Sequence, residues 1–234
     1  MDSIAQGFFQ AVKLILHLNP DLVGIIVLSL KVSGFALIVA TALGLPAGAV
    51  LSLTKFPGRG LAVSIVNTFM GLPPVVVGLF VYLLLSRKGP LGFMGLLYSP
   101  SAMVIAQTIL AVPIVTALCH SAIVSVDPLI RQAARTLGAT PLQETTAIIR
   151  EARYGILSAV IAAFGRVMAE VGSILIVGGN IAGYTRVMTT TIALETDKGN
   201  FELALALGII LLAISFFVNS ALHAVQRKGA VQSV

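Results

Sequence analysis

The sequence predicts an all-α, polytopic membrane protein with five spanning helices. Three observations carry that prediction. The 234 residues are 57% hydrophobic and only 10% charged, where a soluble globular domain carries about 25% charge. The mean hydropathy is +1.01, far more apolar than a disordered chain. The apolar residues gather into five runs, each close to or above the roughly 20 residues a helix needs to cross a bilayer. Barrel strands would be about 10 residues long and alternate in polarity, whereas these runs are longer and apolar on all sides.

In residues 1–20, Ile4, Phe8, Ala11 and Ile15 share one helical face, with Phe9, Val12 and Leu16 beside it. This predicts an amphipathic segment lying in the membrane interface. Lys13 and His17 interrupt it and no small-residue cleavage site follows, which argues against a signal peptide. Residues 21–225 form the transmembrane domain. Its runs cover 22–53, 61–85, 102–126, 155–177 and 201–225. Pro57, Gly58 and Gly60 turn the chain after the first run. A Gly/Pro-rich loop follows the second, a polar loop at 127–154 the third, and a mixed, Gly-rich segment at 178–200 the fourth. Residues 226–234 are expected to be a tail.

An odd number of spans puts the chain ends on opposite sides. The side holding the 54–60 loop, the 127–154 loop and the tail carries eight Lys and Arg, against five on the other. The positive-inside rule then makes that side cytoplasmic, with the C-terminus inside and the N-terminus outside. The net charge of +6 is thus topological. A nucleic-acid partner would need a clustered basic face on a soluble domain, and none is present.

The chemistry of most enzymes is missing. The sequence has no G-x-x-x-x-G-K-[ST], no H-E-x-x-H and no G-x-S-x-G, so nucleotide-binding, zinc-protease and serine-hydrolase signatures are absent. Cys119 is the only cysteine, and His17, His120 and His223 are scattered, which leaves no disulfide framework and no metal-ligand spacing. Asp127, Glu144 and Glu151 lie among basic residues and read as solvated loop charges. No cofactor or metal is expected. The protein reads as a conduit or an assembly subunit.

The 127–154 loop carries the most specific signals. Pro128 suits the first position of a helix, and Gly138 the left-handed position that ends one. Thr140 suits the N-cap of a second helix, Pro141 its first position, and Gln143 completes a capping box. The prediction is helix, tight turn, helix, all outside the bilayer. Leu129, Ile130, Ala133, Ala134 and Leu137 fall on or near one face of the first helix. Such a face packs on something, either this chain's own spans or a partner.

Gln132, Ala133 and Ala134, then three residues, Gly138, nine residues and Ile148, resemble the "EAA" loop of bacterial ABC importer permeases. That family's pattern is Glu-Ala-Ala-x3-Gly-x9-Ile-x-Leu-Pro. Here Gln132 replaces Glu, Arg150 replaces Leu and Glu151 replaces Pro. The loop also sits between the third and fourth of five spans, as in that family. Ser29-Leu30-Lys31-Val32-Ser33, Pro73-Pro74-Val75-Val76-Val77-Gly78 and Gly165-Arg166 with Glu170-Val171-Gly172 resemble the molybdate/tungstate branch. The stretch from Gly178 to Arg186 and Ile149-Arg150-Glu151-Ala152-Arg153 look most like the tungstate type. The resemblance implies a type I ABC importer permease fold. It implies a coupling loop (Gln132, Ala133, Ala134, Gly138, Ala139, Thr140, Pro141, Ile148) docked on a separate ABC ATPase subunit in two copies. It also implies an extracytoplasmic oxyanion-binding protein, a permease homodimer in the lipid bilayer of a prokaryotic cell, and import of tungstate first and molybdate second. A permease for another oxyanion such as sulfate, a stand-alone secondary transporter or channel, and a scaffold subunit are the alternatives.

Candidate pathway or gate residues follow from polarity inside the runs. Arg166 and Glu170 share a helical face at i,i+4 spacing, and charges at that depth face a bundle interior or a water-filled cavity. They form either a structural pair or part of the pathway. Pro73, Pro74 and Pro46 remove backbone donors inside apolar runs and mark kinks that either line a site or serve packing. Asn180 and Arg186 follow the fourth run, where backbone amides around Gly178–Gly183 either contact an oxyanion or form an ordinary turn. Lys31 reads as an interface anchor that snorkels. Ser29, Ser33, Thr41, Asn67 and Thr68 are dispersed donors that suit a low-affinity conduit.

Overall fold

A computed structural model describes Phe9, Val12, Lys13 and residues 20–232. The amphipathic segment expected over 1–20 lies outside the described residues, apart from those few positions.

The first run is one 34-residue helix, α1 (Pro20–Leu53), which continues through Pro46. The proline does not break the helix. Glycines on either side of it seat α1 directly on a neighbouring helix. A Cβ on Gly44 would lie 2.9 Å from Val115 Cβ, and one on Gly48 would lie 2.7 Å from Thr116 O. Small residues at this spacing let helix backbones approach closely in a membrane, and that contact spans the proline.

The second run is not a continuous helix. It divides into α2 (Arg59–Met70) and α3 (Pro74–Leu85), bent by 98° at the break. Pro74 takes the first helical position, and Pro73 before it is extended at φ −64°, ψ 121°. A residue preceding proline is driven out of the helical region, so Pro73-Pro74 ends one helix and starts another. A short 3-10 turn (Gly92–Met94) leads to α4 (Pro100–Val124), where Ser99 Oγ accepts from Ala102 N.

Two short helices follow, α5 (Pro128–Thr136) and α6 (Pro141–Glu151). The fourth run is also broken, into α7 (Arg153–Met168) and α8 (Gly172–Gly178), bent by 59°. The segment read as mixed contains a helix, α9 (Met188–Asp197). The last run, α10 (Phe201–Gln232), stays helical past the expected end at residue 225. The described residues are therefore all-helical, as predicted. Three helices (α1, α4, α10) are long and apolar enough to cross a membrane, and the number reaches five where each bent pair counts as one span.

Helix α4 is the central element. In its most apolar 18-residue stretch 67% is buried, against 28% for α1 and 17% for α10. One apolar cluster joins Ala36 and Ala40 of α1 to Val115 and Cys119 of α4 and Ala159 and Ala163 of α7. A second joins α1, α3, α4 and α8 through Val32, Val81, Ala106 and Val177. A third places Met168, Met188 and Leu207 together. The outer surface is apolar as well: Phe35, Ile38, Val75, Phe80, Leu212 and Phe216 are all more than half exposed. So wide an apolar surface has no place in water and fits a bilayer.

Candidate functional site

The α5–α6 segment is built by local signals. Asp127 Oδ1 accepts from Leu129 N at 2.8 Å and opens α5 behind Pro128. Gly138 holds φ 76°, a conformation glycine adopts without steric cost. Thr140 and Gln143 then exchange both bonds of the capping box, Gln143 Oε1 accepting from Thr140 N at 2.8 Å and Thr140 Oγ1 from Gln143 N at 3.4 Å. Ala139 and Pro141 complete the turn and the first position of α6. Gln132, Ala133 and Ala134 lie on α5, none of them buried.

The large apolar residues of this segment are mostly open, while Ile130 and Ala134 are half-buried. Leu129 is 64% exposed and Leu137 87%, with Leu142 of α6 at 76%. Ile148 is buried in the core, with Ile149 packed against the same cluster. The angle between the two helices is held instead by Glu144, which was expected to be a plain solvated charge. Its carboxylate pairs with Arg135 (Nε–Oε2, 2.8 Å) and with Arg131 (Nε–Oε1, 2.9 Å). The Arg135 hydrogen bond is the main reason that the Glu144 carboxyl sits below the ordinary carboxylate range. Beside α5, Lys55, Arg59, Arg131 and Asp127 line an open cavity of about 270 Å³ at the ends of α1 and α4.

Arg166 and Glu170 pair at 3.2 Å, as their spacing predicts, but Arg166 is in the last turn of α7 and Glu170 lies within the break before α8, so they do not sit on one continuous helix. The two ends differ: the Glu170 side chain is 4% exposed and that of Arg166 is 48%. Glu170 also bridges the break. Its Oε1 accepts from Ser173 N at 3.1 Å, at the start of α8, and its carbonyl accepts from Thr189 Oγ1 at 2.8 Å. A carboxylate suits the positive end of a helix. Gln107 of α4, which sequence reading passed over, donates to Val167 O at 3.2 Å and to Ser33 Oγ at 3.4 Å. It is the longest polar side chain inside the third run, a signal that periodicity alone does not weigh.

Asn180 and Arg186 belong to a self-contained turn. Asn180, at φ 51°, accepts at Oδ1 from Thr190 Oγ1 (2.9 Å). Arg186 donates to Asn180 O at 3.4 Å. Of the backbone amides once offered to an anion, Gly179 N is bonded to Leu175 O and Ile181 N to Thr185 Oγ1. The dispersed donors divide likewise. Ser29 and Ser33 are buried, Ser29 Oγ donating to Ile25 O and accepting from Met188 N at 2.8 Å. Asn67 and Thr68 are exposed on α2. Lys31 is exposed on α1. Pro73 and Pro74 stand at the α2–α3 break, where the preceding Leu72 lines a small cavity together with Arg166 and Glu170. Among the described residues no group of three or more His, Cys, Asp or Glu is placed to hold a metal ion.

Comparison with known proteins places this architecture. Residues 40–230 match the family model described as the binding-protein-dependent transport system inner membrane component. The chain is 41% identical to the tungstate uptake system permease protein TupB of Peptoclostridium acidaminophilum over 97% of its own length and 100% of that protein. It is 37% identical to the TupB of Campylobacter jejuni, over 97% and 95%. With a probable anion ABC transporter permease of Haloferax volcanii it shares 47% over 85% of this chain and 88% of that one. Among solved structures, a chain of a bacterial alginate ABC transporter in complex with its alginate pentasaccharide-bound periplasmic protein superposes with a TM-score of 0.71 at 18% identity, covering 97% of this chain and 88% of that one. A chain of the MetNI methionine ABC transporter superposes at 0.69, with 18% identity over 86% and 93%. The fold, the family match and the full-length relatives agree: the chain belongs to the family of binding-protein-dependent transport system inner membrane components, the multi-pass permease subunits of ABC importers.

Proposed function

We propose that this protein is the permease subunit of an ABC importer for tungstate, with molybdate as the second substrate. Two copies enclose the pathway about a two-fold axis, the commonest closed symmetry. ATP is hydrolysed by a separate pair of ATPase subunits that dock on residues 129–149. An extracytoplasmic binding protein delivers the anion on the side of the N-terminus, and the C-terminus lies in the cytoplasm, in keeping with the eight-to-five bias of basic residues.

One observation carries this reading: α5 and α6 meet at a set angle through Gly138, and Leu129, Leu137 and Leu142 remain exposed between polar neighbours. An exposed apolar set on two short, ion-paired helices suits a partner's groove. The two TupB relatives, similar over nearly the whole chain, support the substrate class. The membrane part itself is suited to weak holding of the anion. Desolvating a tetrahedral dianion needs a dense set of donors, and Ser29 Oγ, Gly179 N and Ile181 N already donate within the protein. High affinity then falls to the binding protein, and the permease releases its cargo. The Arg166–Glu170 pair, half-exposed on its arginine side, is the gate candidate that remains.

The test is tungstate uptake by vesicles holding the permease, with and without the ATPase subunit and the binding protein. Uptake that needs all three, with competition by molybdate above sulfate, is the expected result. Uptake by the permease alone would replace this reading with a stand-alone transporter.

A further inference from the structure

Gln107 lies at the centre of the molecule and is 1% exposed. Its amide nitrogen is identified by its neighbour: Val167 O can only accept, so the NH2 end faces it at 3.2 Å. The other end, Oε1, is buried and has no partner among the described residues. Buried amide oxygens are rarely left so.

Two small cavities, each of about 10 Å³, share Gln107 in their lining. The first is also lined by Ser29, Ser33, Met168, Met188 and Thr189. The second is also lined by Leu72, Arg166 and Glu170. A volume of about 10–15 Å³, measured with a water-sized sphere, is what one water molecule requires, and a buried water makes two to four hydrogen bonds. Both cavities meet both conditions. The first offers the Ser29, Ser33 and Thr189 hydroxyls with Gln107, and the second offers Arg166 and Glu170 with Gln107.

We propose that each cavity is a binding site for one ordered water, and that Gln107 Oε1 accepts a hydrogen bond from each of the two waters. The carbonyl oxygen has two lone pairs, so it serves both. The result is a continuous polar layer through an otherwise apolar bundle, from the Arg166–Glu170 pair through water, Gln107 and water to Ser29 and Thr189. It runs beside the α7–α8 break, where helical backbone bonds are interrupted. Gln107 is a positioning residue for that break, and the inference is independent of which anion the protein carries.

Radiolytic hydroxyl labelling tests it, because radicals formed at a bound water oxidise the side chains that touch it. The full-length permease in nanodiscs provides its own control. Met168 and Met188 line the first cavity and are 6% and 1% exposed, whereas Met103 is 0% exposed and lines neither. Brief irradiation should oxidise Met168 and Met188 several-fold faster than Met103, and hydrogen peroxide from bulk solvent should not distinguish them. Gln107→Leu should bring Met188 down to the rate of Met103, and Gln107→Glu, which keeps an acceptor, should retain the labelling. Equal radiolytic rates at Met188 and Met103 in the unaltered protein would overturn the proposal without reference to any variant. Faster peroxide oxidation of Met188 than of Met103 would overturn it too, by tracing the label to opening of the bundle. Unchanged labelling in a folded Gln107→Leu would remove Gln107 as the anchor.

Discussion

The segment from α5 to α6 and the one from α7 to α8 have the same plan: a helix, a break of a few residues, a second helix. They are made in opposite ways. The first break is written in adjacent residues. Gly138 at φ 76° ends α5, and Thr140, Pro141 and Gln143 start α6. The second break contains no proline, and two of its bonds come from far away. Gln107 reaches Val167 O across 60 residues, Thr189 reaches Glu170 O across 19, and Glu170 caps Ser173 N. The first region is exposed and ion-paired; the second is buried, with one end of its charged pair almost fully enclosed. A break held locally keeps its shape when partners change. A break held by tertiary contacts can be remade when the helices around it move, which suits a gate.

The largest effect should come from the buried break. Arg166→Leu strands the enclosed Glu170 carboxylate and should cost about 3 kcal/mol, the low end for breaking a buried pair, because Arg166 is itself half-exposed. The double change Arg166→Leu with Glu170→Leu should recover part of that loss, read as the unfolding midpoint in detergent. Single variants as stable as the unaltered protein would mean that the pair is solvated, and the contrast between the two breaks would go with it.

Gly138→Val comes next. A β-branched residue at φ 76° should cost about 1–3 kcal/mol locally. The spans should still insert, while co-purification of the ATPase falls. Unchanged co-purification and unchanged uptake would take the coupling role away from this loop.

Thr140→Ala removes one half of the capping box and should cost about 1 kcal/mol. Hydrogen exchange should quicken in the first turn of α6 and stay unchanged in α8. Faster exchange in both would show that the two breaks are linked, contrary to the local origin argued for the first.

The smallest effect concerns pH. The Glu144 carboxyl is held below its ordinary range, chiefly by the Arg135 hydrogen bond. Its contribution is therefore complete above the ordinary carboxylate value and is lost as pH falls through the lowered one. Spin-label distances between α5 and α6 should stay constant between about pH 6 and 8 and broaden only in acid below the ordinary carboxylate value of about 4.3. Broadening near neutrality would mean that a group other than Glu144 holds the angle.

What the sequence by itself determined about this protein is whatever a few neighbouring residues can enforce. Composition and run length decided the membrane-embedded, all-helical class, because apolar surface on that scale has no other solvent. Proline geometry at Pro73-Pro74 and the caps at Asp127, Gly138 and Thr140 decided where four helices end or begin, since each acts within about one turn. The tertiary structure decided the rest. Pro46 leaves α1 whole because Gly44 and Gly48 seat that helix on α4 across it. Ser29 and Ser33 turn inward because Met188 N and Gln107 come to them from 159 and 74 residues away. The fourth run breaks at Glu170 where two distant groups, Gln107 and Thr189, satisfy the backbone, and no period or motif within the run records where those groups will be.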